Sequence, residues 1–272
     1  MPSNKRQRDL ARRRSERQSA RRAAERARRR KRNLVLYSTT FGVVLLLVLS
    51  LTVGKSLFDD EGTVGATPTE TPTPSRAPGE CAYNDADEAP AKDVGKPPVK
   101  ADATTQRHAT VTLDSGVVEF DMFADKAPCT VNSFVHLASK NYFDSSPCHR
   151  ATSSPGLTVL QCGDPTGTGS SGPGYQFDNE NLPTPGPDGK ASYPRGTVAM
   201  ANAGAGTNGS QFFLVVKDST LGPDYTAFGK ITKGLDVLDK VIAAGTTPAG
   251  DGKPKKTVTI KDFTIVGKAP AG

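Results

Sequence analysis

Residues 34–53 form a run of 20 residues without a charged side chain, and this run limits what the N-terminal part of the chain can become. At about 1.5 Å per residue, a helix of that length spans about 30 Å, the thickness of a bilayer's hydrocarbon core. A buried core helix would carry a polar stripe, and a cleaved signal peptide would have a short basic region and an A-x-A-like cleavage site. The run shows neither feature, so we predict an uncleaved transmembrane anchor helix.

The positive charge of the chain is concentrated before this anchor. Residues 1–32 contain 13 Arg and 2 Lys against 3 acidic residues, a net +12, so the remainder carries 7 − 12 = −5. The positive-inside rule predicts that the basic arm, residues 1–33, is cytoplasmic and that the rest of the chain lies outside, on a single-pass cell-membrane protein. Nucleic acid is the competing partner for such an arm, but no aromatic residue is interleaved with the arginines. We expect contact with anionic lipid and no nucleic-acid partner.

The composition changes again after the anchor. Residues 54–104 include "ATPTETPTPSRAPG" and "EAPAKDVGKPPVKAD", which are rich in Thr and Pro and poor in large apolar residues. Such segments are extended and bury no core, so this region is predicted to be a disordered linker. Residues 105–267 then have the length of one domain, and residues 268–272 form a tail.

The remaining sequence alternates in the manner of short strands. "HATVTL", the turn "DSG" and "VVEFDMF" predict a hairpin, and "TVTIKDFTIV" predicts a closing strand. Pro128 can open a helix at its first position, with an apolar face made by Val131, Phe134, Val135 and Ala138. "GLDVLDKVIAAG" predicts a second helix that ends at Gly245 and turns inward Leu235, Leu238, Val241 and Ile242. Many short strands with two separated helices indicate a mainly β fold, a barrel rather than a layered α/β fold.

The stretch "SSPCHRATSSPGLTVLQCGDPTG" contains the residues most able to take part in catalysis or metal binding. Cys148 and His149 are neighbours, so on a strand they point to opposite faces and cannot form a nucleophile pair. The cysteines and three histidines lack the close pairing of a zinc site, so no metal is predicted. "GDPTGTGSSGPG" lacks the Gly-Lys-Ser/Thr ending of a phosphate loop and is predicted to be a surface loop.

The cysteine count is even, and all four cysteines follow the anchor. They lie at Cys81, Cys129, Cys148 and Cys162. Disulfides persist outside the cytoplasm, so we predict two of them, with three connectivities open.

Three motifs together indicate a family. "CHR…LQCGDPTGTGSSGPGYQF", "AMANAGAGTNGSQFFLVV" (199–216) and "FGKITKGLDVLDKV" (from 228) make residues 105–267 resemble the cyclophilin family of peptidyl-prolyl cis-trans isomerases. With the cysteines and the anchor, the chain looks like a membrane-bound actinobacterial branch of it. The resemblance implies a closed, antiparallel, eight-stranded barrel capped by two helices, which isomerises X-Pro bonds without a cofactor.

The resemblance also implies roles for individual residues. Arg150 matches the family's catalytic arginine, and Gln161 and Asn202 complete the catalytic set. The substrate-binding positions, including those of the apolar slot for the proline ring, match Phe213, Gln211, Ala201, Val159, Leu221, Tyr225 and Leu157. Two of these depart from the family pattern, because Val159 replaces a methionine and Tyr225 replaces a histidine. Leu157 is assigned only as the apolar residue nearest to a second pocket phenylalanine, because the link from Arg150 to Gln161 is longer than usual.

The implied substrates are proline-containing segments of extracytoplasmic proteins, whose folding the enzyme would assist. The alternative is a peptide-binding or chaperone module with the same fold and little turnover. The chain has no Trp, and Thr220 or its neighbour occupies the position of the tryptophan that contacts cyclosporin in the family. We therefore expect cyclosporin to bind weakly.

Overall fold

The alternating apolar segments fold into antiparallel strands with short connections. In the computed structural model, which describes residues 79–267, the strands are β1 (Asn84–Asp85), β2 (Arg107–Leu113), β3 (Gly116–Met122), β4 (Ser146–Pro147), β5 (Arg150–Ser154), β6 (Leu157–Cys162), β7 (Tyr175–Gln176), β8 (Ala191–Tyr193), β9 (Thr197–Met200), β10 (Phe212–Lys217), β11 (Ser219–Leu221), β12 (Ala227–Lys233), β13 (Thr246–Thr247), β14 (Asp251–Pro254) and β15 (Thr259–Gly267). The helices within this range are α1 (Pro128–Ser139) and α2 (Leu235–Ala243). The expected mainly β, antiparallel architecture with two helices is confirmed, whereas the expected closed barrel of eight strands is replaced, within residues 79–267, by a curled sheet of 11 strands.

One curled sheet contains most of these strands. Its order is β13-β14-β5-β6-β10-β9-β12-β3-β2-β15-β4, and all of its pairings are antiparallel. Strands β4 and β5 belong to one continuous run, residues 146–154. The start of this run pairs with β15 and its end pairs with β6. The run that carries Arg150 therefore links β4, at one edge of the sheet, to β5, the third strand from the other edge.

The interior of the curl is filled by aromatic rings. Successive residues of β2 and β3 alternate between buried and less buried positions, and the buried positions are apolar, as expected for a sheet with one face on a core. The rings of Phe134 from α1 and Phe228 from β12 lie 4.6 Å apart at the centre. The fully or almost fully buried phenylalanines around them are Phe120, Phe143, Phe212 and Phe263.

Both helices begin where the sequence predicts. Pro128 occupies the first turn of α1, and the carboxylate of Glu180 accepts hydrogen bonds from the N–H groups of Cys129 and Thr130 at 3.0 and 2.8 Å. A distant side chain thus caps this helix. Before α2, Gly234 has φ +87°, and a Cβ there would lie 2.2 Å from the carbonyl oxygen of Val117. Only glycine fits this close approach.

The prediction of a disordered linker up to residue 104 is wrong for residues 79–104, which we call the N-terminal segment. Cys81 forms a disulfide with Cys129, and the hydroxyl of Tyr83, whose residue is only 7% exposed, donates to the carbonyl of Cys129 at 2.8 Å. Strand β1 pairs with β7. The ammonium group of Lys92 donates to the carbonyls of Asn141 and Tyr142. These contacts place the segment on the surface of the domain.

The predicted arm, anchor and tail lie outside the described residues, as does the linker up to residue 78. Within residues 79–267 there is no helix long and apolar enough to cross a membrane.

The cysteines form two disulfides, as predicted, and the structure selects one of the three connectivities. Cys81 pairs with Cys129, and Cys148 pairs with Cys162. The first bond joins the N-terminal segment to α1. The second joins the run 146–154 to β6, close to Arg150 and Gln161.

Candidate active site

Arg150 lies on the outer face of the sheet, where β5 and β6 place it directly opposite Gln161. Its Nη1 donates to Oε1 of Gln161 at 3.2 Å. The amide of Gln161 donates to Oε1 of Gln211 at 3.0 Å, and the amide of Gln211 donates to the carbonyl of Ser171 at 3.1 Å. This chain of hydrogen bonds orients both glutamines and holds one side of the guanidinium group.

A carboxylate that the sequence analysis did not identify holds the other side. Nε and Nη2 of Arg150 donate to the two carboxylate oxygens of Asp251, each at 2.7 Å. Asp251 begins β14, which pairs with β5. The ion pair raises the pKa of Arg150 and lowers the pKa of Asp251, each through hydrogen bonding to the other group. In the sequence, Asp251 is distinguished only as an acidic residue before the lysine-rich segment 253–256. No local sequence pattern links it to Arg150.

The predicted apolar slot forms a cluster of its own, separate from the aromatic core. Phe213 lies on β10 opposite Gln161 on β6 and Ala199 on β9, and it is 5% exposed. Its neighbour Phe212 is fully buried in the core, because successive side chains of a strand point to opposite faces. The predicted residues that the structure brings together around Phe213 are Val159, Leu157, Leu221, Tyr225 and Ala201.

Tyr193 also belongs to the slot, although the sequence analysis missed it. Its hydroxyl donates to the carbonyls of Gly222 and Tyr225, at 3.1 and 3.2 Å, and accepts the N–H of Tyr225 at 3.2 Å. Burial raises the pKa of Tyr193 to about 12, so the hydroxyl remains protonated near neutrality. The ring of Tyr225 in turn lies edge-on to Phe213, with centroids 5.6 Å apart. Tyr193 therefore fixes one wall of the slot.

Asn202 and Ala201 follow β9 at the rim of the site. The N–H of Ala201 donates to the carbonyl of Gln211 at 2.9 Å. The amide of Asn202 donates to the carbonyl of Asp224 at 2.9 Å, and its Oδ1 accepts the N–H of Gly204 at 3.2 Å. The side chain of Asn202 thus positions the loops on both sides of the slot.

The glycine-rich loop after β6 is built around one carboxylate. Asp164, fully buried, accepts hydrogen bonds from the N–H and hydroxyl groups of Thr166 and Thr168 and from the N–H of Gly169. Burial alone raises the pKa of Asp164, but the hydrogen bonds from these residues lower it overall. The loop delivers the carbonyl of Ser171 to Gln211, so it supports the site, and it contains no phosphate-loop signature.

The Cys-His pair next to Arg150 has no nucleophile. Cys148 is bonded to Cys162. Burial lowers the pKa of His149, whose ring packs against Gly169. In the part of the chain that the structure describes, no group of three or more His, Cys, Asp or Glu side chains is placed to hold a metal ion.

A cavity of about 550 Å³, which we call the flanking cavity, opens beside the glutamines. Gln161, Gln211, Ala201 and Asn202 line it, whereas Phe213, Val159, Leu157, Leu221 and Tyr225 do not, so Ala201 is common to the slot and the cavity. The site therefore has two compartments, an apolar slot and a more polar cavity, next to one fixed guanidinium group.

Residues 108–265 match the family model described as cyclophilin type peptidyl-prolyl cis-trans isomerase/CLD. The chain belongs to this family. Over 192 residues it is 46% identical to the probable peptidyl-prolyl cis-trans isomerase B of Mycobacterium tuberculosis, a match that covers 65% of this chain and 62% of that relative. The matched region thus spans less than two thirds of the relative's length.

Solved structures show the same fold. A cyclophilin type peptidyl-prolyl cis-trans isomerase from Cryptosporidium parvum is similar with a TM-score of 0.51 and 29% identity, over 60% of this chain and 99% of that one. Its structure in the presence of the dipeptide Ala-Pro is similar with a TM-score of 0.50 and 30% identity, over 59% of this chain and 99% of that one.

The ion pair between Arg150 and Asp251 predicts that activity depends on the charge of Asp251. Asp251→Asn should lower kcat/KM for a prolyl peptide by roughly 3- to 5-fold, the upper range for an exposed ion pair, because the guanidinium group loses one of its two supports. The folded-state pKa of Asp251 is depressed, so its contribution is present above the ordinary pKa and is lost as pH falls through the depressed one. Wild-type activity should therefore decline in acid towards that of the variant.

The pH profile of kcat/KM checks this expectation. Asp262→Asn, at an exposed position on β15, is the matched control and should behave as wild type. A profile for Asp251→Asn that keeps the wild-type acid step would contradict the role of Asp251.

Proposed function

We propose that this chain is a peptidyl-prolyl cis-trans isomerase that assists the folding of extracytoplasmic proteins. The observation that carries the proposal is the guanidinium group of Arg150, held by Gln161 and Asp251 beside an apolar slot. Membership of the cyclophilin-type family supports it, and so does a solved relative crystallised in the presence of Ala-Pro.

The geometry suits rotation of an X-Pro bond. Amide resonance opposes rotation with a barrier of about 18–20 kcal/mol, and twisting the bond leaves a lone pair on the proline nitrogen. With the proline ring in the slot beside Phe213, Arg150 can donate a hydrogen bond to that nitrogen in the twisted state. Such a contact lowers the barrier because it is stronger in the twisted state than in either planar state.

The guanidinium group has donors left for this task. Of the five N–H groups of an arginine, Nε, one on Nη1 and one on Nη2 are used by Asp251 and Gln161. One N–H therefore remains on each terminal nitrogen. Because the group is held from two sides, little entropy is lost when it meets the twisted amide.

The domain is proposed to act outside the cytoplasm, tethered by the anchor at residues 34–53. Two disulfides support this location, because such bonds persist in oxidising compartments. The basic arm, in contact with anionic lipid, would lie on the cytoplasmic side.

Removing Arg150 tests the proposed activity. Arg150→Ala in the full-length chain should lower kcat/KM on an Ala-Pro peptide by roughly 10²–10³-fold, as for loss of one oxyanion-type donor, with an unchanged thermal unfolding midpoint. An NMR exchange assay measures turnover without a coupling protease. Near-wild-type turnover by the variant would show that the arginine is not the donor. Peptide binding without turnover in the wild-type chain would instead favour the chaperone module.

Protease accessibility tests the topology. Protease added to intact cells stripped of their wall should release the isomerase domain and leave the arm protected, because the anchor separates the two. Antibodies against each part identify the fragments. A domain that remains protected while a periplasmic or surface control is digested would refute the location.

Cyclosporin sensitivity tests the family assignment of the slot rim. Thr220 on β11 is exposed next to Leu221 and has no indole to offer. Loss of an indole hydrogen bond and of its apolar area should weaken binding roughly 10- to 10³-fold, giving micromolar inhibition. Thr220→Trp should restore tighter inhibition with little change in turnover. Nanomolar inhibition of the wild-type chain would mean that another residue, such as Tyr225, replaces the indole.

A further inference from the structure

The wall of the flanking cavity includes residues from outside the predicted isomerase domain. Ala86, Asp87 and Glu88, from the N-terminal segment, line the cavity together with Gln161 and Gln211. The substrate-facing surface is therefore built partly by a segment that the sequence assigns to a linker.

Backbone pairing fixes this part of the wall on both sides. The N–H of Ala86 donates to the carbonyl of Gly174 at 3.0 Å, and the N–H of Ala91 donates to the carbonyl of Gly172 at 2.9 Å. Pro90 lies so close to Gly174 that a Cβ at that glycine would be 3.0 Å from the proline ring. Asp87 and Glu88 lie between these two attachments, so their positions at the cavity are set by the fold.

The charged side chains that line the flanking cavity are all acidic. Among the described residues that line the cavity, Asp87 and Glu88 are the charged ones, and no lysine or arginine is present. Both side chains belong to exposed residues, and the ion pairs within residues 79–267 do not involve them. Two carboxylates at the rim of a cavity whose described lining residues carry no positive charge attract a cationic side chain and repel an anionic one, and the nearby guanidinium group of Arg150 is paired with Asp251.

We propose that the flanking cavity selects substrates with lysine or arginine two residues away from the isomerised proline, and that Asp87 and Glu88 determine this preference. The inference rests on the proposed isomerase function. In an extended peptide, side chains two residues apart point the same way. A peptide whose proline enters the slot beside Phe213 therefore directs the side chain two positions away towards the neighbouring cavity.

Two sets of peptides test the preference, one varied two positions before the proline and one varied two positions after it. Each set carries Lys, Met or Glu at that position, with Met as the neutral side chain of similar length. Affinity is measured by fluorescence anisotropy, and kcat/KM is measured in parallel by NMR exchange, both on the full-length chain. The variants are Asp87→Asn/Glu88→Gln and, as the matched control, Asp93→Asn, which lies on the same segment but does not line the cavity.

In one of the two sets, the Lys peptide should bind roughly 10-fold more tightly than the Glu peptide at low ionic strength, with Met between them. The ratio should fall to about 1–2 in the double variant, or in about 1 M salt, where the Debye length is about 3 Å, and should persist in Asp93→Asn. Equal affinities for Lys and Glu in both sets, or a ratio that survives in the double variant, would overturn the inference. A preference in binding without turnover of any peptide would refute the isomerase function and support Asp87 and Glu88 only as determinants of peptide binding.

Discussion

The hydrogen-bonded ladder along residues 146–154 is the constraint on which the site depends. This run pairs with β15 at its start and with β6 at its end, so it links the edge strand β4 to β5, the third strand from the other edge of the curled sheet. The same pairing sets Arg150 directly opposite Gln161. A shift of one residue in this register would turn the guanidinium group to the other face of the sheet and move Gln161 away from it. The Cys148–Cys162 bond, next to both residues, ties the two strands at this point.

The sheet is covered on both faces, and each face packs a different cluster of side chains. Its inner face packs the aromatic core, and its outer face along β10 and β6 carries the slot. Phe212 and Phe213 show the division, since adjacent positions of one strand contribute to different clusters. Strand β10 is therefore apolar at nearly every position, a pattern expected when both faces are covered. The slot is consequently backed by the packed core, which suits the proposed task of holding a proline ring beside a fixed donor.

The sequence carries much of this arrangement in local signals. Pro128 and the apolar faces of the two helices mark both helices correctly, and the alternating segments mark the hairpin and the last strand. The motifs around Arg150 and Phe213 identify the slot, since the resemblance supplies the spatial relation that spacing alone does not. Asp251 and Tyr193 were missed because their contacts are distant in sequence. Asp251 binds Arg150, 101 positions away, and Tyr193 binds backbone groups about 30 positions away, so no local pattern predicts either contact. The N-terminal segment was misassigned for another reason. Its average composition is that of a linker, whereas its attachment rests on Cys81, Tyr83 and a short ladder.

The attachment of the N-terminal segment has a consequence for how such a protein can diverge. The segment is attached by one disulfide, a two-residue strand, a few backbone hydrogen bonds and the side chains of Tyr83 and Lys92, and it contributes no strand to the large sheet. Its exposed side chains can change without altering the register of Arg150, the packing of Phe213 or the ion pair with Asp251. Under the proposed function, selection on the choice of client and selection on the chemical step would therefore act on different parts of the chain. On that proposal, a lineage could exchange one set of clients for another by drift in a few exposed residues, while the strands that hold Arg150 and Phe213 stay the same.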